Sequence, residues 1–202
     1  MSSAIRCQFP HFGPMLGYAA TARFRSSSTP ITGGRYYEQM DWWNYVASIP
    51  GPRILVMEDA DETPGSGAMV GEVHAVIAKA LGCVGHVTNG VVRDLARVEK
   101  IGFHLFAGGT VVSHAYAHVV EFGIPVEIGG LKINPGDLLH GDRNGIHSIP
   151  LSIAAGVPDM VETISEQERK LIDFCRSPAF SLEALPEKLR ETAANHTNGA
   201  NQ

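Results

Sequence analysis

Basic residues are too few in this chain to support a nucleic-acid-binding role. Its 202 residues include 16 Lys and Arg against 21 Asp and Glu, which gives a formal net charge of −5 at pH 7. Nucleic acids and anionic bilayers are bound largely through a positive surface field, and this composition supplies none. We therefore expect neither nucleic acid nor a membrane among the partners of the protein.

Cysteines and long apolar segments are also scarce. The three cysteines, Cys7, Cys83 and Cys175, are odd in number and far apart, so a disulfide framework is excluded and reduced thiols in a cytoplasmic protein are expected. No apolar stretch approaches the roughly 18 residues of a membrane span, and the N-terminus has no apolar core of a signal peptide. The sequence thus predicts a soluble, unexported protein.

The remaining composition is that of a globular protein. Hydrophobic residues make up 44% of the chain and charged residues 18%, which excludes disorder of the whole chain. A chain of this length buries about 70% of its unfolded surface, so one hydrophobic core suffices. We predict a single domain over residues 1–194 and a disordered tail at 195–202, which is rich in Asn, Thr and Gly.

Strand and helix patterns alternate along the first half of the chain. The runs with strand length and composition are residues 16–25, 53–58 and 83–88. The stretches with helical periodicity are residues 36–48, 71–82 and 93–101. A strand–helix–strand connection is nearly always right-handed and makes its two strands parallel. The pattern therefore predicts a parallel βαβ unit.

The second half of the chain has a different pattern. From Val126 onward, short apolar runs are separated by turn residues rich in Gly, Asn, Asp and Pro, which predicts an antiparallel meander. Helical patterns follow at 158–175 and 181–194. The predicted fold class is therefore α/β, with a parallel βαβ unit, an antiparallel meander and C-terminal helices.

Charged side chains stand at the starts of two helices that follow predicted neighbouring strands. Glu72 begins one helix, and Arg93 and Asp94 begin the next. If the two strands are neighbours, these residues meet at the sheet edge where α/β proteins bind ligands. A guanidinium can hold an anionic oxygen, a carboxylate is a ligand for Mg²⁺, and helix N-terminal amides bind carboxylates. A small anionic, metal-chelating substrate would fit such a site.

A simpler interpretation of the same residues stays open at this point. Acidic residues are favoured in the first turn of a helix because of the macrodipole, so Glu72 and Asp94 could be caps and Arg93 a surface charge. The spacing alone does not decide between a site and a pair of capped helices.

The spacing nevertheless resembles a family signature. Twenty residues separate Glu72 from Arg93–Asp94, and this arrangement resembles the acidic-X20-Arg-Asp signature of the RraA-like family, whose enzymes include 4-hydroxy-4-methyl-2-oxoglutarate aldolase. The segments at 134–137, Asn-Pro-Gly-Asp, and at 142–150, which begins Asp-Arg-Asn-Gly, are similar to further motifs of that family. The likeness runs from about residue 16 to residue 150.

The resemblance implies a fold, an assembly and roles for individual residues. The implied fold is a three-layer β/β/α arrangement, assembled as homotrimers or hexamers with the site at a subunit boundary. Asp94 would bind Mg²⁺ or Mn²⁺ mostly through water, Arg93 would contact the substrate, and Glu72 would hold metal-bound waters. The positions implied to bind the pyruvate carboxylate lie at the start of the first helix and are Gly71, Val73 and His74.

The implied reaction is retro-aldol cleavage of a 4-hydroxy-2-oxo acid to pyruvate, with oxaloacetate decarboxylation as a second activity because both leave the same enolate. An acidic residue from a C-terminal helix of a neighbouring subunit often completes such sites. Glu166 and Glu168 are both candidates for that residue. The C4 substituent of the natural substrate is left open.

Three other chemistries each have some support in the sequence. A Schiff-base aldolase would need a desolvated lysine, and the chain offers Lys79, Lys100, Lys132, Lys170 and Lys188. On a helix, His114, His118 and Glu121 would share a face and could bind zinc. Residues 65–67, Gly-Ser-Gly, weakly suggest a nucleotide or S-adenosylmethionine loop.

A non-enzymatic role is the main rival to lyase activity. One branch of the RraA-like family, as the resemblance has it, binds and restrains ribonuclease E. That branch lacks the aspartate after the arginine, whereas this chain has Asp94. The metal ligand therefore favours an enzyme over a regulator.

Overall fold

The computed structural model describes residues 1–30 and 39–198. In chain order its elements are β1 (Arg6–Cys7), β2 (Met15–Arg25), α1 (Gln39–Ser48), β3 (Arg53–Asp59), α2 (Glu72–Ala80), β4 (Cys83–Val87), β5 (Val91–Val92), α3 (Leu95–Ile101), β6 (His104–Ala107), β7 (Gly109–Thr110), β8 (His118–Phe122), β9 (Val126–Ile128), β10 (Leu131–Ile133), β11 (Leu138–Asp142), β12 (Gly145–Ile149), α4 (Val157–Arg176) and α5 (Leu185–Asn198), with a turn of 3-10 helix at Ala154–Gly156. Of the helix predicted at 36–48, residues 36–38 lie outside the described residues.

Eight strands of the described chain form one mixed sheet. Its order is β1-β6-β4-β3-β2-β11-β12, and β8 pairs with the C-terminal half of β2. The pairs β2–β3, β3–β4 and β4–β6 are parallel, and the pairs made by β1, β8, β11 and β12 are antiparallel. The predicted parallel βαβ unit is thus confirmed, and the two strands that precede the candidate site residues are direct neighbours.

The central strand β3 shows how the sheet separates two apolar layers. Because successive side chains of a strand point to opposite faces, alternate residues enter different clusters. Leu55 and Met57 pack in a cluster with α1, α2 and α3. Ile54 and Val56 pack with residues of the β9–β10 hairpin on the opposite face. The layers are therefore helices, main sheet and hairpin, which confirms the predicted β/β/α fold class.

The antiparallel half differs from a continuous meander. β9 pairs only with β10 in a separate two-stranded sheet, whereas β11 joins the main sheet between β2 and β12. The turn at 134–137 carries the chain from the small sheet to the main sheet. Two hydrogen bonds hold this turn against β2: the Gly136 amide donates to the Ala19 carbonyl at 2.8 Å, and the Ala19 amide donates to the Asp137 carbonyl at 2.9 Å. The predicted antiparallel strands are present, as two hairpins on different layers.

The chain forms two compact units, Met1–Pro150 and Leu151–Gln202. The second contains α4 and α5, close to the two predicted C-terminal helices. The single domain proposed for 1–194 stays a prediction, since compactness does not show whether the units fold separately. α5 extends to Asn198, further than the sequence suggests, and residues 199–202 lie outside the described part.

Within the residues that the structure describes, none of the helices combines the length and the apolarity that crossing a bilayer requires.

Candidate functional site

The starts of α2 and α3 are joined by a direct hydrogen bond. The Glu72 amide, the first of α2, donates to Asp94 Oδ2 at 3.0 Å. This contact follows from the topology, because each helix comes after one of the neighbouring strands β3 and β4 and both begin beyond the carboxyl ends of those strands. The structure therefore brings together the residues that the sequence placed at one sheet edge.

Asp94 occupies an unusual backbone conformation. Its φ of 59° and ψ of 32° lie in the left-handed region, which Asp tolerates better than most residues. It is the N-cap residue of α3, yet its side chain makes no capping bond to α3. The carboxylate instead accepts the amide of Glu72 on α2. Asp94 is therefore not a simple cap of its own helix, and its side chain faces the other helix start.

Gly71 permits this close approach. A Cβ at this position would lie 2.6 Å from Asp94 Oδ2 and 2.9 Å from Arg93 Nε, closer than real Cβ contacts allow. The backbone at Gly71 is extended, with a φ of −136°, so the requirement is for space rather than for an unusual conformation. A glycine therefore stands here because the Arg93 and Asp94 side chains pass directly over the backbone.

Arg93 presents a partly unsatisfied guanidinium. Its Nη1 lies 3.2 Å from Asp94 Oδ2, and the two side chains are 30% and 32% exposed. Its Nε is buried, and no described residue accepts a hydrogen bond from it. A buried donor without a partner is costly unless a ligand or water satisfies it. The guanidinium is thus able to bind an anionic oxygen of a ligand.

The Glu72 side chain points to a residue that the sequence analysis did not single out. Its Oε2 lies 2.7 Å from Arg97 Nη1, and this hydrogen bond raises the pKa of Arg97 above its usual value. Arg97 lies in the first turn of α3, whereas Arg93 precedes the helix. No helical spacing therefore links the two arginines, and the pairing of Arg97 with Glu72 depends on the contact between the two helix starts.

A shallow cleft of about 220 Å³ lies beside these groups. Its lining residues are Met69, Gly71, Val73, His74, Ile77, Arg93, His114 and Ala117. The four predicted substrate-binding positions, Arg93 among them, therefore share one cleft. Glu72 and Asp94 are not lining residues, but Asp94 contacts Arg93 at the cleft.

The N-terminus of α2 offers backbone donors to this cleft. Gly71 caps the helix without any side-chain hydrogen bond, so the amides of Val73 and His74 have no intrahelical acceptor. The first turn of a helix binds anions because its free amides and its dipole both favour negative charge. The predicted carboxylate-binding position thus has suitable chemistry.

His74 contributes a neutral ring to the cleft. The ring packs on Trp43 with 4.7 Å between centroids, and its Nε2 is buried without a hydrogen-bond partner among the described residues. Burial lowers the pKa of His74 to about 4. The side chain is therefore uncharged near neutral pH and does not add positive charge to the site.

The loop before β8 supplies His114, which the sequence analysis considered only as a zinc ligand. A Cβ on Gly67 would lie 2.5 Å from the His114 carbonyl oxygen, so the loops at 65–71 and 111–117 are in close contact. Ala68 also donates to the Ser113 carbonyl at 3.1 Å. This loop packing places His114 at the cleft and buries Gly67 of the Gly-Ser-Gly segment, whereas Ser66 is exposed.

The zinc arrangement of His114, His118 and Glu121 is wrong. It required a helix, but His114 lies in a turn and the other two residues belong to strand β8. In β8, His118 lies opposite Arg25 and Glu121 lies opposite Arg23, whose Nη1 is 3.5 Å from Glu121 Oε2. In the described part of the chain there is no group of three or more His, Cys, Asp or Glu side chains placed to hold a metal.

The lysine alternative also lacks a suitable residue. Lys79, Lys100, Lys132 and Lys170 are exposed, and Lys188 forms an ion pair with Glu191 at 2.8 Å. A Schiff-base lysine needs a desolvated environment, and no lysine lines the cleft at Arg93.

The Asp94 carboxylate has the chemistry of a hydrated magnesium ligand. Oδ2 is occupied by the Glu72 amide and Arg93, whereas no described residue donates to Oδ1. Mg²⁺ commonly uses one or two protein carboxylates and fills its other positions with water. A single carboxylate with one available oxygen therefore fits Mg²⁺ or Mn²⁺ held largely through water.

A larger cleft of about 570 Å³ lies in the second compact unit, between α4 and α5. Its lining residues are Gln167, Lys170, Leu171, Phe174, Lys188, Glu191 and Thr192. It has the character of a groove between two helices. The smaller cleft is the better candidate site because unpaired donors line it and the Asp94 carboxylate contacts one of its lining residues, Arg93. Glu166 and Glu168 are both exposed on α4.

Known proteins show clear similarity to this chain. The "Putative 4-hydroxy-4-methyl-2-oxoglutarate aldolase" of Halalkalibacterium halodurans is 34% identical over 107 residues, which are 52% of this chain and 49% of that protein. The chain thus spans about half the length of this curated relative.

Two solved structures share the fold. An uncharacterized protein from Pseudomonas syringae pv. tomato has a TM-score of 0.71 at 24% identity, covering 92% of this chain and 80% of its own. A Streptomyces coelicolor protein described as an unusual member of the RNase ES inhibitor RraA protein family has a TM-score of 0.63 at 24% identity. The match covers 83% of this chain and 80% of that protein. Residues 2–147 match the family model described as RraA-like, Aldolase/RraA, and the chain therefore belongs to the RraA-like family.

Proposed function

We propose that this protein is a divalent-metal-dependent lyase that cleaves a 4-hydroxy-2-oxo acid to pyruvate and also decarboxylates oxaloacetate. The observation that carries the proposal is that Arg93 and the free amides of Val73 and His74 meet at one cleft, while the Asp94 carboxylate contacts Arg93 beside it. Membership of the RraA-like family and the aldolase name of the Halalkalibacterium halodurans relative support the same reaction class.

Asp94 would hold the metal through Oδ1, with water in the remaining positions. A bound Mg²⁺ or Mn²⁺ would polarise the C2 ketone and stabilise the enolate charge as the C3–C4 bond breaks. The Glu72 amide and Arg93 fix the orientation of the Asp94 carboxylate from its other oxygen. The carboxylate is thereby held in place before a ligand binds.

The substrate would be held by its oxygens. The amides of Val73 and His74 would bind the C1 carboxylate, as helix N-termini bind anions. The buried, unpartnered Nε of Arg93 and its Nη groups would bind the keto and departing oxygens. Because His74 is neutral, it does not add to the positive charge that Arg93 brings to the cleft.

The proposed bond cleavage needs one proton to move twice. Removal of the C4 hydroxyl proton converts C4–OH to a carbonyl while the C3–C4 electrons form the pyruvate enolate, which then takes a proton at C3. A water oriented by the Glu72 carboxylate would accept and return this proton. In oxaloacetate the same bond breaks with loss of CO2, and only the second protonation is needed.

The proposal includes an assembly. In a homotrimer or hexamer, Glu166 or Glu168 of a neighbouring subunit would approach the site from α4. Sedimentation velocity would measure the oligomeric state. Substituting each acid with Gln would show which of them alters turnover, if the neighbouring subunit contributes.

The test of function is pyruvate release coupled to lactate dehydrogenase, with oxaloacetate and several 4-hydroxy-2-oxo acids. The protein should show saturable turnover with Mg²⁺ above the rate of Mg²⁺ alone, and EDTA should abolish it. Borohydride should trap no adduct with pyruvate, because no lysine lines the cleft. Absence of turnover on every substrate, or a trapped adduct, would overturn the proposal.

A second candidate function is a regulator of an RNA-processing enzyme without activity of its own. The observation in its favour is the fold shared with the Streptomyces coelicolor protein described in terms of RNase ES inhibition. Stoichiometric capture of a ribonuclease E-type enzyme, with inhibition of RNA cleavage and no metal-dependent pyruvate release, would support this alternative.

A further inference from the structure

Two histidines face each other across the β11–β12 hairpin, on a part of the molecule that the proposed lyase site does not use. His140 and His147 are directly opposed in the antiparallel register. Nε2 of His147 lies 3.1 Å from Nδ1 of His140, and the rings are nearly perpendicular at 89° with 5.1 Å between centroids. The register of the strands therefore aims two ring nitrogens at one point.

We infer that His140 and His147 form a surface binding site for a divalent transition-metal ion such as Zn²⁺ or Cu²⁺. Imidazole nitrogens bind zinc at about 2.0–2.1 Å, so two of them on one ion stand about 2.9 Å apart at a right angle and about 3.3 Å apart at a tetrahedral angle. The observed 3.1 Å lies between these values. A metal ion bound to both nitrogens would lie beside the line that joins them, so each ring would turn toward the ion while the strand register keeps the nitrogens at this separation.

The backbone gives the pair its geometry. Leu139 and Ile146, which flank the two histidines, are buried in the cluster beneath the hairpin. Alternation along each strand then directs His140 and His147 to the other face, where His147 is exposed. The two ligands are thus fixed by the buried side chains next to them, and the ion would be reached from solvent.

The surroundings define an open site with two protein ligands. Asp142, two residues after His140, is committed to its turn, because its carboxylate accepts the Asn144 amide at 2.7 Å and the Asn144 side chain at 3.1 Å. Water or an external ligand would fill the remaining coordination positions. Imidazole ligands suit Zn²⁺, Cu²⁺ and Ni²⁺, whereas Mg²⁺ prefers oxygen, so this site would not compete for the ion proposed at Asp94.

The competing interpretation is an aromatic cross-strand pair that stabilises the hairpin alone. Isothermal titration with Zn²⁺ separates the two. The wild-type chain should bind Zn²⁺ at this pair of histidines. The affinity of that binding step should be lost or weakened by about tenfold or more in both His140→Gln and His147→Gln, because each variant removes one of the two ligands. Two control variants should leave the affinity of this Zn²⁺-binding step unchanged. They are His11→Gln, which changes another exposed histidine, and Asp94→Asn.

Nitrogen coupling in the electron paramagnetic resonance spectrum of bound Cu²⁺ provides a readout independent of affinity. Two coupled nitrogens should reduce to one in either glutamine variant. Circular dichroism in EDTA would establish that both variants are folded. Equal Zn²⁺ affinity in the wild type and His147→Gln, or a Cu²⁺ spectrum that neither variant alters, would overturn the inference. If Asp94→Asn loses pyruvate release but still binds Zn²⁺ at His140 and His147, the inferred zinc site is supported independently of the proposed lyase site.

Discussion

Asp94 is the N-cap residue of α3, but its carboxylate accepts the backbone amide of Glu72 at the start of α2, at 3.0 Å. This bond ties two helix starts from adjacent strands into one rigid unit. It also leaves a single Asp94 oxygen facing away from protein donors in the described structure. The proposed metal ligand is thus positioned by a backbone amide together with the Arg93 side chain.

Arg93→Ala should lower kcat/KM for pyruvate release by about a hundredfold, because a hydrogen bond to a charged oxygen contributes roughly 2–3 kcal/mol. The fold should persist. Steady-state kinetics with circular dichroism would measure both. Arg143→Ala is the matched control, since Arg143 is an exposed arginine whose contact is a 3.4 Å bond to the Pro10 carbonyl. Equal losses in the two variants would contradict a role for Arg93.

Gly71→Ala should impair the site without unfolding the protein. The new Cβ would meet Asp94 Oδ2 at 2.6 Å and push the carboxylate aside. A displacement of about 1 Å can cost about a hundredfold in rate. Gly156→Ala is the control, because a Cβ there meets no atom within 4 Å. Normal turnover in Gly71→Ala would show that the close approach has no functional importance.

Arg97→Ala should reduce kcat by several-fold while barely changing stability. Arg97 is 70% exposed, so solvent screens its ion pair with Glu72 and the melting temperature should barely change. The freed Glu72 carboxylate would no longer hold its water in one orientation. Lys188→Ala breaks another surface pair and should leave kcat unchanged. An unaltered kcat in Arg97→Ala would show that orientation of the Glu72 carboxylate by Arg97 does not contribute to turnover.

The sequence predicts the parallel part of this fold well, because each strand and helix there is specified by the residue pattern of its own segment. The apolar run at 53–58 and the helical periodicity at 71–82 each specify one element, and chirality rules then make the strands parallel. Convergence of Glu72 with Arg93 and Asp94 follows directly. Their roles in binding and catalysis stay predictions.

The parts that the sequence does not predict depend on long-range contacts. The position of His114 at the cleft results from packing of its loop against Gly67, which no local pattern encodes. The split of the antiparallel half into two hairpins depends on the bond from Gly136 to Ala19, which is remote in sequence. The sequence left the stretch around His114 and His118 undecided between helix and strand because its valine-rich flanks suit both, and the structure places His118 on strand β8.

Stability should fall in mild acid because of two buried histidines. Burial lowers the pKa of His86 to about 3, with His74 nearby, and lowers that of His74 to about 4. Their unfolded pKa is near 6.5, so below that pH the unfolded chain binds protons that the folded chain excludes. Each histidine then removes about 1.4 kcal/mol of unfolding free energy per pH unit, down to its folded pKa.

His86→Leu should reduce this pH dependence. The ring nitrogens of His86 are buried without partners among the described residues, so a leucine of similar size should not destabilise the protein at pH 7. Urea unfolding at pH 7, 6 and 5 would measure the slope, with His11→Gln as an exposed control. A slope identical to that of the wild type would show that His86 does not titrate as inferred.

The most direct test of the central claim is pyruvate release by the wild type and Asp94→Asn at saturating Mg²⁺. Asparagine keeps the size, tolerates the left-handed backbone and can still accept the Glu72 amide, but it removes the negative charge that would hold the ion. We predict metal-dependent turnover in the wild type and a loss of at least about a hundredfold in Asp94→Asn. Equal rates in the two proteins, or wild-type turnover that persists in EDTA, would contradict the account.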